Sequence, residues 1–170
     1  AMVIVMAMVI TMVRAMVMAM IMLLFSVNMI GNLFGEFSDQ FWVNPIGVHF
    51  GQIKVSDLLL VNHDGQVVQG DRSVNIAAFT IHSRLHMARP DVNAAAHSHS
   101  MYGKTFATLG KFLDPISQDS CAFYERQAIY DDFSGVSEDT SEGERIAQAL
   151  GDKQVLIMQN HGILSTGSSL

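Results

Sequence analysis

Residues 92–99 read Val-Asn-Ala-Ala-Ala-His-Ser-His, a short apolar stretch that ends in two histidines. The stretch predicts a β-strand over residues 92–98. Because side chains alternate along a strand, His97 and His99 should point to the same face, where both can reach one metal ion at about 2.0 to 2.1 Å. The chain has 7 histidines, so a pair at this spacing could also arise by chance or serve the structure alone.

A third histidine follows a second apolar stretch. Residues 154–159 predict a buried strand, and Asn160-His161-Gly162 comes directly after it. Glycine lets the backbone turn sharply, and asparagine can hydrogen-bond to its neighbours. A third imidazole at another strand end would complete a set of three neutral nitrogen ligands, which leaves metal positions open for water or substrate.

The residues around these motifs predict alternating strands and helices. Residues 57–62 and 66–69 are short runs around His63-Asp64-Gly65, whose tight-turn signal predicts a β-hairpin. Asn44-Pro45-Ile46-Gly47 predicts another turn. Apolar residues at helical spacing predict a helix over 76–88, and two further helices are predicted over 101–109 and 142–150. The alternation predicts an α/β sandwich with a mixed sheet and helices on its faces.

End signals set the bounds of these predicted helices. Arg89-Pro90 should stop the first helix, because the residue before proline disfavours helical backbone. Gly110 should close the second helix. Ser141, with Glu144 three residues later, has the spacing of a capping box and should open the third helix, which Gly151 closes.

Together the histidine motifs become specific for a family. The segment Ala88-Arg89-Pro90-Asp91-Val92-Asn93-Ala94-Ala95-Ala96-His97-Ser98-His99, followed by Asn160-His161-Gly162-Ile163-Leu164, resembles the two metal-binding signatures of the class II aldolase/adducin family. Residues 41–65 are similar to the family's first sheet hairpin. The resemblance covers residues 37–167, and it is specific for the family rather than for one reaction.

The resemblance implies a class II aldolase-like α/β/α sandwich with a central mixed, largely antiparallel sheet. It implies a class II aldolase/adducin domain over residues 37–170, which we expect to be truncated at its C-terminus because the family continues past Asn-His-Gly with further helices. Family members are commonly tetramers with active sites at subunit contacts, so a homotetramer is expected of the full-length form.

The resemblance also implies that His97, His99 and His161 bind a divalent metal ion, with zinc expected first and manganese or iron as alternatives. Such a cation acts as a Lewis acid on the hydroxyl and carbonyl oxygens of a substrate. We therefore expect a lyase of the aldolase, epimerase or decarboxylase kind, acting on a small hydroxy-carbonyl or hydroxy-acid compound. A non-catalytic adducin-like interaction module and an inactive fragment remain as alternatives.

His82 marks a departure from the family's aldolases. Those enzymes use a glutamate, four residues before another histidine, as acid/base; here the residue four before His86 is His82. The pattern Ile81-His82-Ser83-Arg84-Leu85-His86 resembles the adducin-like branch instead. An imidazole could ligate the metal or move a proton near neutral pH, so His82 is a candidate fourth ligand or acid/base residue. Helix packing of His82 and His86 is the alternative.

The aldolases also contribute a tyrosine across a subunit boundary, and no tyrosine stands at the matching place near Gln118. Tyr102, just beyond the metal strand, is our candidate catalytic phenol, with Tyr124 and Tyr130 as alternatives and buried aromatic packing as another explanation for each. Carboxylates near the same loop are alternative proton carriers, unless they are merely solvated: Asp114, Asp119 and Glu125.

Composition limits the partners that the chain can have. Its formal net charge is −6 and its Lys and Arg residues form no cluster, so a nucleic acid or an anionic membrane surface is not expected as a partner. A small molecule fits better. The single cysteine, Cys121, cannot form an internal disulfide, which favours the cytoplasm. We expect Cys121 to be a buried structural thiol rather than a nucleophile.

The first 36 residues differ from the rest of the chain. Residues 1–25 are almost wholly Ala, Met, Val, Ile and Leu, and 9 of the 12 methionines lie before residue 30. We treat residues 1–36 as an atypical Met-rich low-complexity segment. It could come from a mis-spliced or frame-shifted gene start, form a buried helix, or anchor the chain in a membrane, although Arg14 would cost about 2.5 to 3.5 kcal/mol on insertion.

Overall fold

One eight-stranded sheet organises the molecule. The computed structural model describes residues 25–27, 40–133, 135 and 140–168. The strands are β1 (Phe25–Val27), β2 (Gln40–Val43), β3 (Leu59–Asn62), β4 (Val67–Gln69), β5 (Ala94–Ser98), β6 (Gln127–Tyr130), β7 (Val155–Met158) and β8 (Gly162–Gly167). Their order is β4-β3-β2-β1-β5-β8-β7-β6. Every neighbouring pair is antiparallel except β6 and β7, which confirms the predicted mixed, largely antiparallel sheet.

The helices that accompany the sheet are α1 (Ile76–Ala88), α2 (Met101–Ala107), α3 (Gln118–Cys121) and α4 (Thr140–Leu150). Helix α1 has the predicted bounds: the Asn75 side chain accepts a hydrogen bond from the Ala78 amide at its start, and the chain leaves helical geometry at Arg89. Helix α2 stops at Ala107, two residues early, and Gly110 follows with a φ of +57°. Helix α4 begins at Thr140, so the prediction that Ser141 caps it is wrong.

Helices lie on both faces of the sheet, as the sandwich prediction requires. Helices α1 and α4 pack against each other and share one apolar core with the sheet; its fully buried members include Leu85, Ile146, Leu150, Leu156 and Leu164. Helix α2 lies on the other face, where a Cβ on Gly103 would meet the Ile163 side chain at 3.3 Å. Ile163 precedes Leu164 in the same strand, so the two side chains point to opposite faces.

A second core cluster covers the other half of the sheet. It joins β2 and β3 to helix α1 through five buried residues: Phe41, Val43, Leu59, Val61 and Phe79. The predicted hairpin is confirmed, since β3 and β4 pair as antiparallel neighbours around the turn at residues 63–66. Gly65 in that turn has a φ of +80°, which favours glycine.

Strand β1 lies inside the Met-rich segment that the sequence analysis set apart. It pairs with both β2 and β5, and so occupies the middle of the sheet. The boundary at residue 37 stays a prediction, and the alternatives offered for residues 1–24 and 28–36 lie outside the described residues. Among the helices that the structure describes, none is long and apolar enough to span a bilayer.

The prediction of a buried Cys121 is wrong. Cys121 is the last residue of the short helix α3, and its side chain is exposed. Its Sγ lies 3.6 Å from the carbonyl oxygen of Pro115. The apolar residues that follow, including Phe123 and Tyr124, are also partly or largely exposed, so an apolar stretch here does not indicate a core position.

Candidate metal centre

The sheet brings the two histidine motifs together. Strands β5 and β8 are antiparallel, with His97 opposite Leu164 and Ser98 opposite Ile163. The C-terminal end of β5 therefore lies beside the turn that joins β7 to β8, which carries His161. His97, His99 and His161 are called the strand-end histidines below. His161 follows His97 by 64 residues in the chain, and the three side chains meet where these strands end.

Two features of the β7–β8 turn allow this approach. Asn160 has a φ of +61°, so the left-handed residue is the asparagine before His161, and not Gly162 as the sequence suggested. Gly162 is needed for another reason. A Cβ at Gly162 would lie 2.5 Å from the Ser98 carbonyl oxygen and 3.3 Å from Cε1 of His97, so a side chain there would push β8 away from β5.

The strand-end histidines converge through their Nε2 atoms. The Nε2 atom of His97 lies 2.7 Å from that of His99 and 3.2 Å from that of His161. Their rings meet edge to face, with centroids 4.7 to 4.8 Å apart. Among the described residues, they form the one group of three or more His, Cys, Asp or Glu side chains whose ligand atoms all lie within 4.8 Å of one another.

The protonation of these rings also suits a cation. Burial, and then the neighbouring His161 and His99, hold the pKa of His97 well below its ordinary value. Burial, and then His99, lower the pKa of His161 to about 4. Burial and Lys104 lower the pKa of His99. The rings are therefore neutral near pH 7, and a neutral imidazole offers a nitrogen lone pair to a metal. The residues present fit a divalent ion.

A cavity of about 320 Å³ opens onto the strand-end histidines. Its size suits a small ligand. Asn160 and the ring of Phe133 form part of its wall, and that ring lies 5.3 Å from the ring of His161. The wall thus combines nitrogen ligands with an aromatic surface, which can bind a compound that has both polar and apolar parts.

A site role for His82 stays a prediction; its ring lies near enough to His97 to contribute to the lowered pKa of His97. His82 is 1% exposed within helix α1, does not line the cavity, and neither ring nitrogen has a hydrogen-bond partner among the described residues. Burial, and then His86, lower the pKa of His82 to about 3. His86 is also buried, and its Nδ1 lies 3.2 Å from the Val92 carbonyl oxygen. These two, called the helix histidines below, pack in the core.

Tyr102 does not reach the cavity either. It lies on helix α2, its side chain is 63% exposed, and it does not line the pocket. Tyr124 is 58% exposed, whereas Tyr130 is 4% exposed in the core that α1 and α4 share with the sheet. Buried packing therefore holds for Tyr130 and is wrong for Tyr102 and Tyr124. A catalytic role for Tyr102 stays a prediction.

Glu142 is a lining residue of the cavity that was not among the site residues predicted from the sequence. This residue lies in the first turn of α4, is 5% exposed, and lines the same cavity as the strand-end histidines. A signal was available, because Glu142 stands four residues before Ile146, which is fully buried. Residues four apart lie on the same face of a helix, so the periodicity that buries Ile146 also turns Glu142 inward.

Comparisons with known proteins identify the family to which the chain is similar. Residues 14–170 match the sequence profile described as Class II Aldolase and Adducin N-terminal domain. The chain is 40% identical over 136 residues to Decarboxylase NovR of Streptomyces niveus, a match that covers 79% of this chain and 50% of that protein. It is 34% identical over 136 residues to Alpha-adducin of Rattus norvegicus, covering 78% of this chain and 18% of that protein.

A solved structure extends the likeness to three dimensions. L-fuculose 1-phosphate aldolase from Glaciozyma antarctica PI12 matches with a TM-score of 0.72 and 43% sequence identity, over 86% of this chain and 55% of that chain. The chain therefore spans about half of the aldolase and of the decarboxylase, and a smaller part of the adducin.

Proposed function

The chain belongs to the class II aldolase and adducin family, and on that premise we propose that it is a divalent-metal-dependent lyase acting on a small hydroxy-carbonyl or hydroxy-acid compound. The observation that carries the proposal is the convergence of three neutral imidazole Nε2 atoms at the mouth of a cavity. Ring nitrogens that lie this close together from distant parts of the chain are the arrangement that a three-histidine metal site requires.

In this proposal each part of the site has a role. The strand-end histidines would hold the cation, which would supply a Lewis acid for the oxygens of a bound substrate. Three protein ligands leave at least one coordination position open for those oxygens. The Phe133 ring lines the cavity beside His161 and would offer an apolar surface to the substrate.

The chemistry of the relatives supports a lyase. One relative is named as a decarboxylase and another as an aldolase; both reactions break a carbon–carbon bond next to a carbonyl group. Imidazole ligands favour zinc, with manganese and iron as alternatives. We further propose a cytoplasmic protein that assembles as a homotetramer in its full-length form.

The test is the divalent-metal content of the purified chain, measured by elemental mass spectrometry beside a His97→Ala, His99→Ala double variant. We expect about one zinc, manganese or iron ion per chain, lost in the variant, because removing two of three ligands leaves no chelating set. A folded chain without metal would contradict the proposal. It would favour a non-catalytic interaction module, the alternative suggested by the similarity to Alpha-adducin.

A further inference from the structure

Glu142 is a buried carboxylate at the candidate metal centre. It is 5% exposed, it lines the cavity, and its Oε1 atom has no hydrogen-bond partner among the described residues. Among the described residues that line this cavity, it is the one carboxylate. Glu142 interacts electrostatically with Arg145 and Tyr130, yet its Oε1 stays without a hydrogen bond from them. Such a buried acceptor is costly and is rarely kept unless a water, a ligand, an ion or a reaction uses it.

Glu142 lies beside the centre without belonging to the ligand group. The ligand atoms within 4.8 Å of one another come from the strand-end histidines alone. Glu142 therefore borders the same space from outside the nitrogen cluster. This separation suits a group that faces a bound compound rather than one that holds the cation.

The packing of α4 on α1 fixes this position. Gly143 contacts the backbone of α1: a Cβ there would overlap the Thr80 carbonyl oxygen and lie 2.9 Å from Cγ of Arg84. A glycine next to Glu142 thus lets the first turn of α4 approach α1 closely. The carboxylate is placed by helix packing and not by a loose loop, as a positioned acid/base group requires.

The other residue considered for acid/base chemistry is not so placed. His82 does not line the cavity, so a compound bound there would not contact it. We propose, resting on the metal-dependent function above, that Glu142 is the acid/base residue of this site. Its Oε1 accepts the proton of a C–H or O–H bond next to the bound carbonyl group; the electron pair of that bond stays on the substrate, and the same proton is later returned to the product.

Proton uptake by Glu142 can be measured without an enzymatic substrate. Acetohydroxamic acid is a suitable probe, because it binds zinc through two oxygens and loses a proton as it does so. Isothermal titration calorimetry of the zinc-loaded chain in two buffers of different ionisation enthalpy, at pH 7, gives the number of protons released to the buffer. The proteins compared are the wild type, Glu142→Gln, Glu142→Asp and Glu144→Gln.

If Glu142 accepts the proton, the wild type should release about one proton fewer per bound probe than Glu142→Gln. Glu142→Asp keeps a carboxylate and should behave like the wild type. If Glu142→Gln does not fold, the wild type alone still tests the role, because it should release almost none of the probe's proton to the buffer, and release of the full proton would contradict the role. Glu144→Gln is the matched control: it removes a carboxylate that is 66% exposed and lies 3.9 Å from Arg84, and it should release as few protons as the wild type.

The outcomes separate the two proposals. Equal proton release from the wild type and Glu142→Gln, with zinc bound to both, would overturn the role of Glu142 and leave the metal centre standing. Loss of zinc from Glu142→Gln would also overturn it, because Glu142 would then be a ligand. A wild type that binds no zinc would overturn the metal-dependent function itself, and this is read from its metal content before any probe is added.

Discussion

The strand-end histidines and the helix histidines differ in where the backbone places them, and this decides what their rings can do. The strand-end group lies at the end of β5 and in the turn between β7 and β8, so that the three rings project from neighbouring strand ends and line one cavity. The helix group lies within α1, with His82 near its middle and His86 in its last turn, and both side chains are buried. Both groups have low pKa values caused chiefly by burial.

The comparison shows that a lowered histidine pKa does not by itself mark a site. What distinguishes the strand-end group is convergence: its Nε2 atoms face one another at 2.7 and 3.2 Å, whereas the His82 nitrogens face no partner among the described residues. Strand ends and turns at one edge of a sheet place side chains from distant parts of the chain together, and a helix interior does not.

The largest expected effect is on metal affinity. His97→Leu should lower zinc affinity by more than the roughly 100-fold that loss of an outer-shell partner costs, because it removes a ligand. His82→Leu should leave zinc affinity unchanged, since His82 lies outside the ligand group. Competition with a chromogenic zinc chelator measures both constants. Comparable losses in the two variants would erase the distinction between the groups.

The next effect concerns the pH dependence of stability. The pKa of His82 is about 3 in the folded chain and about 6.5 when unfolded. Below pH 6.5 the unfolded chain therefore binds a proton at His82 that the folded chain does not bind. The free energy of unfolding decreases as the pH is lowered, by up to about 1.4 kcal/mol per pH unit for one histidine.

Between pH 7 and pH 5, His82→Leu should accordingly lose about 2 kcal/mol less of its free energy of unfolding than the wild type. Urea unfolding at the two pH values, without added metal, measures the difference. Parallel losses in wild type and His82→Leu would mean that His82 is protonated in the folded chain.

The turn that presents His161 gives an effect of similar or smaller size. Gly162→Ala places a methyl group 2.5 Å from the Ser98 carbonyl oxygen, and the resulting overpacking should lower the free energy of unfolding by about 1 to 3 kcal/mol and weaken zinc binding. Gly51→Ala is the control, because its Cβ meets the His49 ring at an ordinary 3.5 Å. Unchanged zinc affinity in Gly162→Ala would show that the turn does not set the ligand geometry.

The smallest effect separates the two helix histidines from each other. The His86 ring lies 3.2 Å from the Val92 carbonyl oxygen through Nδ1, so His86→Leu should cost about 1 kcal/mol more than His82→Leu, whose ring has no such partner. Chemical denaturation at pH 7 measures the difference. Equal costs would mean that the contact with Val92 contributes nothing to stability.

Sequence reasoning went furthest where local chemistry and tertiary structure agree. The extent of α1 follows from its apolar spacing and from Arg89-Pro90, and the hairpin from its turn residues. The meeting of the strand-end histidines followed from the family signatures, since spacing alone does not say which strand ends are neighbours. The sheet order supplies that fact, by placing β5 beside β8.

Other features depend on packing that no local pattern carries. Strand β1 is central because β2 and β5 lie on either side of it. Cys121 is exposed although apolar residues follow it, because α3 is a short helix whose neighbours are themselves exposed. Glu142 looks like an ordinary helix-start carboxylate until α4 packs on α1 and turns it into the cavity.

The most direct test of the central claim is X-ray absorption at the zinc edge of the zinc-loaded chain. Three strand-end histidines with an open position predict three imidazole nitrogens and one water oxygen at about 2.0 to 2.1 Å from zinc. Binding of acetohydroxamate should add oxygen ligands while all three imidazole nitrogens are retained. The imidazole contribution should therefore decrease only as a fraction of the total scattering. A zinc ion without imidazole scattering, or one bound mainly by carboxylate oxygens, would contradict the account.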